Sequence, residues 1–300
     1  MTVTVINHLP ELRKWRKNKL LSEQVVGLVP TMGAIHQGHL NLIHTATKQS
    51  QAIVVSIFVN PSQFAPHEDF DKYPRTIQND VAAINSSFPN HEIVVFAPSV
   101  NTMYPRGISL DRSKQVGAFV EVIGLSEQLE GVTRPHFFRG VSTVVTKLLN
   151  SVEPDIVYFG QKDIQQCIVI QALVQDLLIN VKMVVVPTTR DETDGLALSS
   201  RNVYLTPEQR QRAPAFYRGM KLATELFESG EKRREKLLEC ITKEIEKEGA
   251  SNFVVDYMCL SDSSTLEEIN VVGDSGAILS CAWKMGNTRL IDNVLLGFSF

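Results

Sequence analysis

Five short apolar runs, at residues 25–29, 53–59, 93–96, 156–159 and 181–186, alternate with longer stretches of helical character up to about Pro187. Each run is almost unbroken by polar residues. A strand that is apolar on both faces needs cover on both, and helices crossing over a parallel sheet provide it. The pattern predicts βαβ units in a doubly wound α/β domain. Ligands in such sheets bind beyond the carboxyl ends of the strands. Three segments sit there: Pro30-Thr31-Met32-Gly33, Asn60-Pro61-Ser62-Gln63-Phe64 and Gly160-Gln161-Lys162-Asp163.

After a polar connection at residues 188–195 the character changes. Thr206-Pro207-Glu208-Gln209 reads as a helix start, with Thr206 as N-cap, Pro207 at the first helical position and Gln209 completing a capping box. Residues 232–248 form a second helical pattern in which acidic and basic residues are interspersed, so it reads as a solvated face rather than a nucleic-acid patch. Runs at 253–260, 277–283 and 289–294 read as strands of a small α+β domain. A length of 300 residues exceeds one compact core. Two domains are expected, residues 1–188 and 189–300.

The bulk properties exclude several classes. The chain is 43% hydrophobic and 21% charged, with a formal net charge of -3. That supports a packed core and argues against a polyanion-binding surface, which needs a basic excess. Cys167, Cys240, Cys259 and Cys281 form no C-x-x-C pair and read as reduced core thiols. The opening Met1-Thr2-Val3-Thr4-Val5 lacks a basic, then apolar, leader pattern, and no apolar stretch reaches about 18 residues. A soluble, intracellular chain is expected.

The most informative stretch is Val29-Pro30-Thr31-Met32-Gly33-Ala34-Ile35-His36-Gln37-Gly38-His39-Leu40. If helical, His36 and His39 share a face, and Gly38 lets a flat base or a phosphate approach the backbone. The free N–H groups and dipole of a helix start suit phosphate. Metal binding is the weaker reading, because no third ligand is evident nearby. In Gly195-Leu196-Ala197-Leu198-Ser199-Ser200-Arg201-Asn202, two hydroxyls and a guanidinium suit a triphosphate, although an ordinary polar turn would look much the same. Lys162 can stabilise charge on a transferring phosphorus centre. Asp163 reads equally as a helix cap or a nucleotide contact, and the amides of Gln63 and Gln166 suit a small polar hydroxy acid. No G-x-G or G-K-[ST] is present, which disfavours dinucleotide oxidoreductases and P-loop kinases. A nucleotidyltransferase acting on a phosphorylated precursor would need more pocket cations than two glutamines offer.

Together these segments, with Tyr73-Pro74-Arg75-Thr76, Leu129-Glu130-Gly131, residues 140–148 and Arg289-Leu290-Ile291-Asp292-Asn293, resemble the pantothenate synthetase family over essentially the whole chain. The resemblance implies a Rossmann-like nucleotidyltransferase domain with a smaller C-terminal domain, in a cytoplasmic homodimer. It implies a ligase that condenses (R)-pantoate with β-alanine, using ATP with Mg2+ and passing through a pantoyl adenylate. By the same resemblance, His39 with His36 and Lys162 would be catalytic. Met32, Gly33, Ala34, Ile35, Gln37, Gly38, Gly160, Gln161, Asp163, Thr189, Leu198, Ser199, Ser200 and Arg201 would complete the ATP site. Gln63 and Gln166 would hold pantoate, with Gln63 also near β-alanine. Asp80 falls where relatives place a carboxylate near magnesium, and read alone it fits a helix surface equally well. The chain departs from the family at Arg134-Pro135-His136-Phe137-Phe138, where Phe137 takes the place of a histidine.

Overall fold

The computed structural model describes residues 3–65 and 70–300, so Met1 and Thr2 of the opening segment lie outside the described residues. The chain divides into two compact units, Met1–Gly160 with Gln166–Val186, and Gln161–Gln165 with Pro187–Phe300.

The first unit holds a six-stranded sheet built of β1 (Thr4–Ile6), β2 (Val26–Thr31), β3 (Ala52–Ile57), β4 (Glu92–Phe96), β5 (Ile156–Gly160) and β6 (Lys182–Val186). The spatial order is β1-β4-β3-β2-β5-β6, with every pair parallel. All five apolar runs are strands. The sixth, β1, was not anticipated, because three residues, two of them exposed, leave no run to read. The run at 53–59 also overreaches: β3 stops at Ile57, and Pro61, which has no N–H to give a ladder, begins a 3-10 turn.

From β2 the chain steps through β3 to β4 on one side, then returns to place β5 and β6 on the other. The order therefore reverses at the β2–β5 boundary, the place where sheets of this kind bind ligands. Residues 26–29 of β2 and 52–56 of β3 are buried throughout, as strands covered on both faces must be. The helix Phe137–Val152 buries Phe138, Val141, Val144, Val145, Leu148 and Leu149, a stripe at helical spacing. Each such side chain removed from water contributes roughly 1.5–3 kcal/mol.

The second unit carries an antiparallel sheet of β7 (Val254–Asp262), β8 (Ala277–Met285) and β9 (Thr288–Leu296), in that order. Trp283 on the central strand stacks on Phe216 with centroids 4.0 Å apart. Thr206 and Gln209 form the expected capping box before the helix Pro207–Arg212. The helix Arg234–Lys247 buries Leu237, Ile241 and Ile245 in the core and exposes Glu235, Lys243, Glu246 and Lys247 as the solvated face, while Glu244 is buried. All four cysteines are free; Cys167, Cys259 and Cys281 are buried, and burial pushes the Cys259 thiol up to about 11. Among the described residues no helix is long and apolar enough to cross a membrane.

Candidate active site

The carboxyl ends of β3, β2 and β5 lie side by side, since Thr31 pairs with Ile57 and Leu28 with Val157. Three of the segments singled out in the sequence begin there.

After β2 the backbone turns through Gly33 at φ 87° and Ala34 at φ 52° before the helix Gln37–Thr47. The left-handed region is costly for alanine, so something must hold it. Asp80 does. Its Oδ2 accepts the Ala34 N–H at 3.1 Å and its Oδ1 accepts the Ile35 N–H at 2.8 Å and the Thr76 hydroxyl at 3.3 Å. Asp80 is only 3% exposed, which overturns its reading as a helix-surface residue.

His36 is not on the helix, as the spacing argument required; it is the N-cap, with extended backbone at φ -130°. The pair still meets, with ring centroids 4.1 Å apart. His36 Nδ1 accepts the Gly38 N–H at 3.0 Å, and His39 Nδ1 accepts the His36 N–H at 3.4 Å. A backbone N–H can only donate, so both Nδ1 atoms are acceptors and each neutral imidazole carries its proton on Nε2. Gly38 serves this cap: a Cβ there would lie 2.8 Å from His36 Cε1. The first turn holds no acidic residue, so two Nε2–H donors stand at the positive end of a helix dipole. Of this segment, Gln37 is exposed and bonds Asn41 at 3.0 Å, while Met32, Ile35 and Gly38 are half-buried.

Beyond β3, Gln63 is 8% exposed on the 3-10 turn Pro61–Gln63. Its Oε1 accepts from Asn60 Nδ2 at 2.9 Å, and its carbonyl oxygen accepts from Arg134 Nη2 at 3.1 Å. The Arg134 guanidinium lies 4.0 Å over the ring of Phe137, so the altered loop braces the backbone of Gln63. Beyond β5, Gly160 accepts from Cys167 Sγ at 3.4 Å, and Gln166 is half-buried on the helix Ile164–Asp176.

The remaining candidates fall in the second unit. Gln161, Lys162 and Asp163 form a 3-10 turn in which Lys162 Nζ donates to Asp163 Oδ1 at 3.2 Å. Asn293 Nδ2 pins this turn by donating to the Gln161 and Lys162 carbonyls at 2.9 and 3.0 Å. The Thr189 carbonyl accepts the Leu198 N–H at 2.9 Å, which sets the start of the serine segment. Ser199 caps the turn Ser200–Tyr204 by accepting the Arg201 N–H at 3.2 Å. Lys162, Ser199, Arg201 and Arg289 line one cleft, so two segments far apart in sequence converge within this unit. Ser200 is half-buried and does not line it.

Asn60, Tyr104, Arg134 and Asn293 were missed as site residues. Asn60 and Asn293 stand inside motifs that were singled out, whereas Tyr104 carries no local signal. Among the described residues no group of three His, Cys, Asp or Glu side chains is arranged to hold a metal ion.

The family model described as pantoate-beta-alanine ligase matches residues 4–295. The chain is 43% identical to a pantoate-beta-alanine ligase of Saccharomyces cerevisiae, covering 97% of this chain and 99% of the relative. It is 46% identical to a pantothenate synthetase of Chloroflexus aggregans, covering 90% and 93%. Among solved structures, pantothenate synthetase from Thermus thermophilus superposes with a TM-score of 0.86 at 38% identity, over 97% of this chain and 99% of that one. The Francisella tularensis pantoate-beta-alanine ligase, complexed with beta-gamma ATP and beta-alanine, gives 0.75 at 32% identity, over 99% of each chain.

Proposed function

Because the chain belongs to the pantoate-beta-alanine ligase family, we propose that it joins (R)-pantoate to β-alanine at the expense of ATP, on the site residues described above. The pantoate carboxylate attacks the α-phosphorus, pyrophosphate leaves, and the β-alanine amine then displaces AMP from the acyl adenylate. The observation that carries this reading is the histidine capping box. It presents two Nε2–H donors at a helix N-terminus, where they bond phosphate oxygens as charge grows on the leaving group. Lys162, Ser199 and Arg201 converge, and their charges and hydroxyl suit the rest of the nucleotide, as do Gln161, Asp163, Thr189, Leu198 and Ser200 beside them in sequence. Gln63 and Gln166 hold pantoate by their amides, without adding a cation that would favour a phosphorylated acid.

Mg2+ neutralises phosphate charge when it accompanies the triphosphate. The protein groups do not fit a direct ligand set, because no three His, Cys, Asp or Glu side chains gather among the described residues, and buried Asp80 already accepts from Ala34, Ile35 and Thr76. Asp80 is instead the residue that shapes the phosphate loop. Residues 1–188 are assigned pantoate binding and most of the nucleotide contacts, and residues 189–300 the contacts of Thr189 and Leu198 to Arg201 together with a covering role. The chemistry favours that division, since an acyl adenylate must be kept from water. A cytoplasmic homodimer is assigned on the family's usual state, and sedimentation of the purified chain tests the dimer.

The direct test mixes the protein with ATP, pantoate and β-alanine and measures AMP and pantothenate, omitting each substrate in turn. AMP formed as fast without pantoate would overturn the assignment.

A further inference from the structure

A chain of obligate donors and acceptors fixes which end of the Gln63 amide faces its ligand. The Ser62 N–H, which can only donate, lies 3.4 Å from Asn60 Oδ1, and the Gly140 carbonyl, which can only accept, lies 3.1 Å from Asn60 Nδ2. Those two backbone groups determine the orientation of the Asn60 amide. Asn60 Nδ2 then also donates to Gln63 at 2.9 Å, so the Gln63 atom facing it must be the acceptor Oε1. Nε2 is left as the outward end.

The far side of Asn60 is closed by Tyr104, whose hydroxyl donates to Asn60 Oδ1 at 2.7 Å and meets Ser62 Oγ at 2.7 Å. Ser62 Oγ has one proton, which goes either to Tyr104 Oη or to the same Oδ1, 3.0 Å away. Burial pushes the Tyr104 phenol above its ordinary value, so it stays a neutral donor. Its ring is held independently, with Lys147 Nζ 3.7 Å above it and donating to the Met103 carbonyl at 2.6 Å. Asn60, Ser62, Gln63 and Tyr104 are all less than 9% exposed, which leaves water little chance to scramble the network.

We infer that Tyr104 is a positioning residue for pantoate, acting through Asn60 to lock Gln63 with its Nε2–H pair turned to an oxygen of the substrate. Gln63 therefore offers its ligand an Nε2–H pair, which suits a hydroxyl or carboxylate oxygen. The inference rests on the assignment of Gln63 to pantoate.

The test compares the full-length wild type with Y104F, which keeps the ring over Lys147 and deletes only the hydroxyl. Pantoate KM is expected to rise about 5- to 10-fold, with ATP KM within 2-fold and the melting temperature nearly unchanged, as for loss of one buried hydrogen bond. S62A, which removes the second hydroxyl beside Asn60 Oδ1, is expected to move pantoate KM the same way by less. Because S62A does not touch the ring, it also serves if Y104F folds poorly. In the wild type, the Gln63 side-chain N–H2 resonances should shift on adding pantoate and stay in place on adding ATP alone. Pantoate KM unchanged in both folded variants, equal losses for ATP and pantoate, or unmoved Gln63 resonances would each overturn the inference. Failure of the family assignment would look different, as a wild type that makes no pantoate-dependent AMP.

Discussion

Arg190 and Asp292 meet through two parallel hydrogen bonds, Nη1 to Oδ2 at 2.6 Å and Nη2 to Oδ1 at 2.9 Å, with the carboxylate side chain 1% exposed. The guanidinium also lies 3.8 Å over Tyr217 and donates to the Gly195 and Asn293 carbonyls. Asp292→Ala leaves a half-buried cation with only those carbonyls and the ring, which costs about 2–3 kcal/mol, below the loss for a fully buried pair. Chemical denaturation should show that loss; a change below about 1 kcal/mol would mean water replaces the carboxylate.

Asp80→Asn keeps the shape of the side chain and removes the charge that holds Ala34 and Ile35. Hydrogen bonds to a charged group are worth roughly 1.5–3 kcal/mol, so kcat/KM for ATP should fall about 10- to 100-fold. A direct metal ligand would behave differently, since raising Mg2+ would then restore activity. Titration of Mg2+ in the variant separates the two roles, and no recovery is expected.

His39→Ala removes one Nε2 donor and Lys162→Ala one cation from the nucleotide groups. Each should slow pyrophosphate release in a single turnover with ATP and pantoate by about 10²- to 10³-fold, the usual loss for one preorganised donor. Near-normal release from either variant would remove that residue from the chemical step.

Gly140→Ala places a Cβ 2.3 Å from the Ser62 carbonyl oxygen and 2.8 Å from the Gln63 nitrogen, both backbone atoms that cannot swing aside. Overpacking of this kind costs about 1–3 kcal/mol. The melting temperature should drop and pantoate KM should rise together, because the displaced segment is the one that carries Gln63. A drop in stability alone would separate the helix contact from the substrate site.

Asp262 accepts from the backbone N–H groups of Ser264 and Thr265 at 2.8 and 2.9 Å and from both their hydroxyls, led by that of Ser264. These bonds lower its carboxyl from 3.8 to about 2. A folded-state value below the unfolded one adds stability at higher pH, and that stability drains as acid protonates the group. The chain should lose stability between about pH 4 and pH 2, and Asp262→Ala should flatten that part of the profile in acid denaturation.

The parts legible in the sequence are those with a repeating signal. Val54 and Val94 belong to almost unbroken apolar strands, and Thr206 with Gln209 forms the capping box that its spacing requires. Thr4–Ile6 escaped because its pairing with β4 depends on tertiary position, not on its own composition. His36 and His39 were found together for an incomplete reason: helical spacing joins them on paper, whereas a cap joins them in the fold. Asp80 and Tyr104 mark the limit. Each acts on a loop that follows another strand, so its purpose exists only once the sheet has brought those loops side by side.

The strand order also has a temporal side. Gly27 pairs with Ile53 and with Ile156, so the centre of the sheet needs a partner that is synthesised much later. At about 5–20 residues per second, β2 and β3 emerge and wait on the order of ten seconds before β5 can pair with the open edge of β2. During that interval Val26, Leu28 and Val29, all fully buried in the finished fold, present an unpaired apolar edge. The arrangement that brings the ends of β2, β3 and β5 together therefore leaves the nascent chain open to mispairing while it is being made.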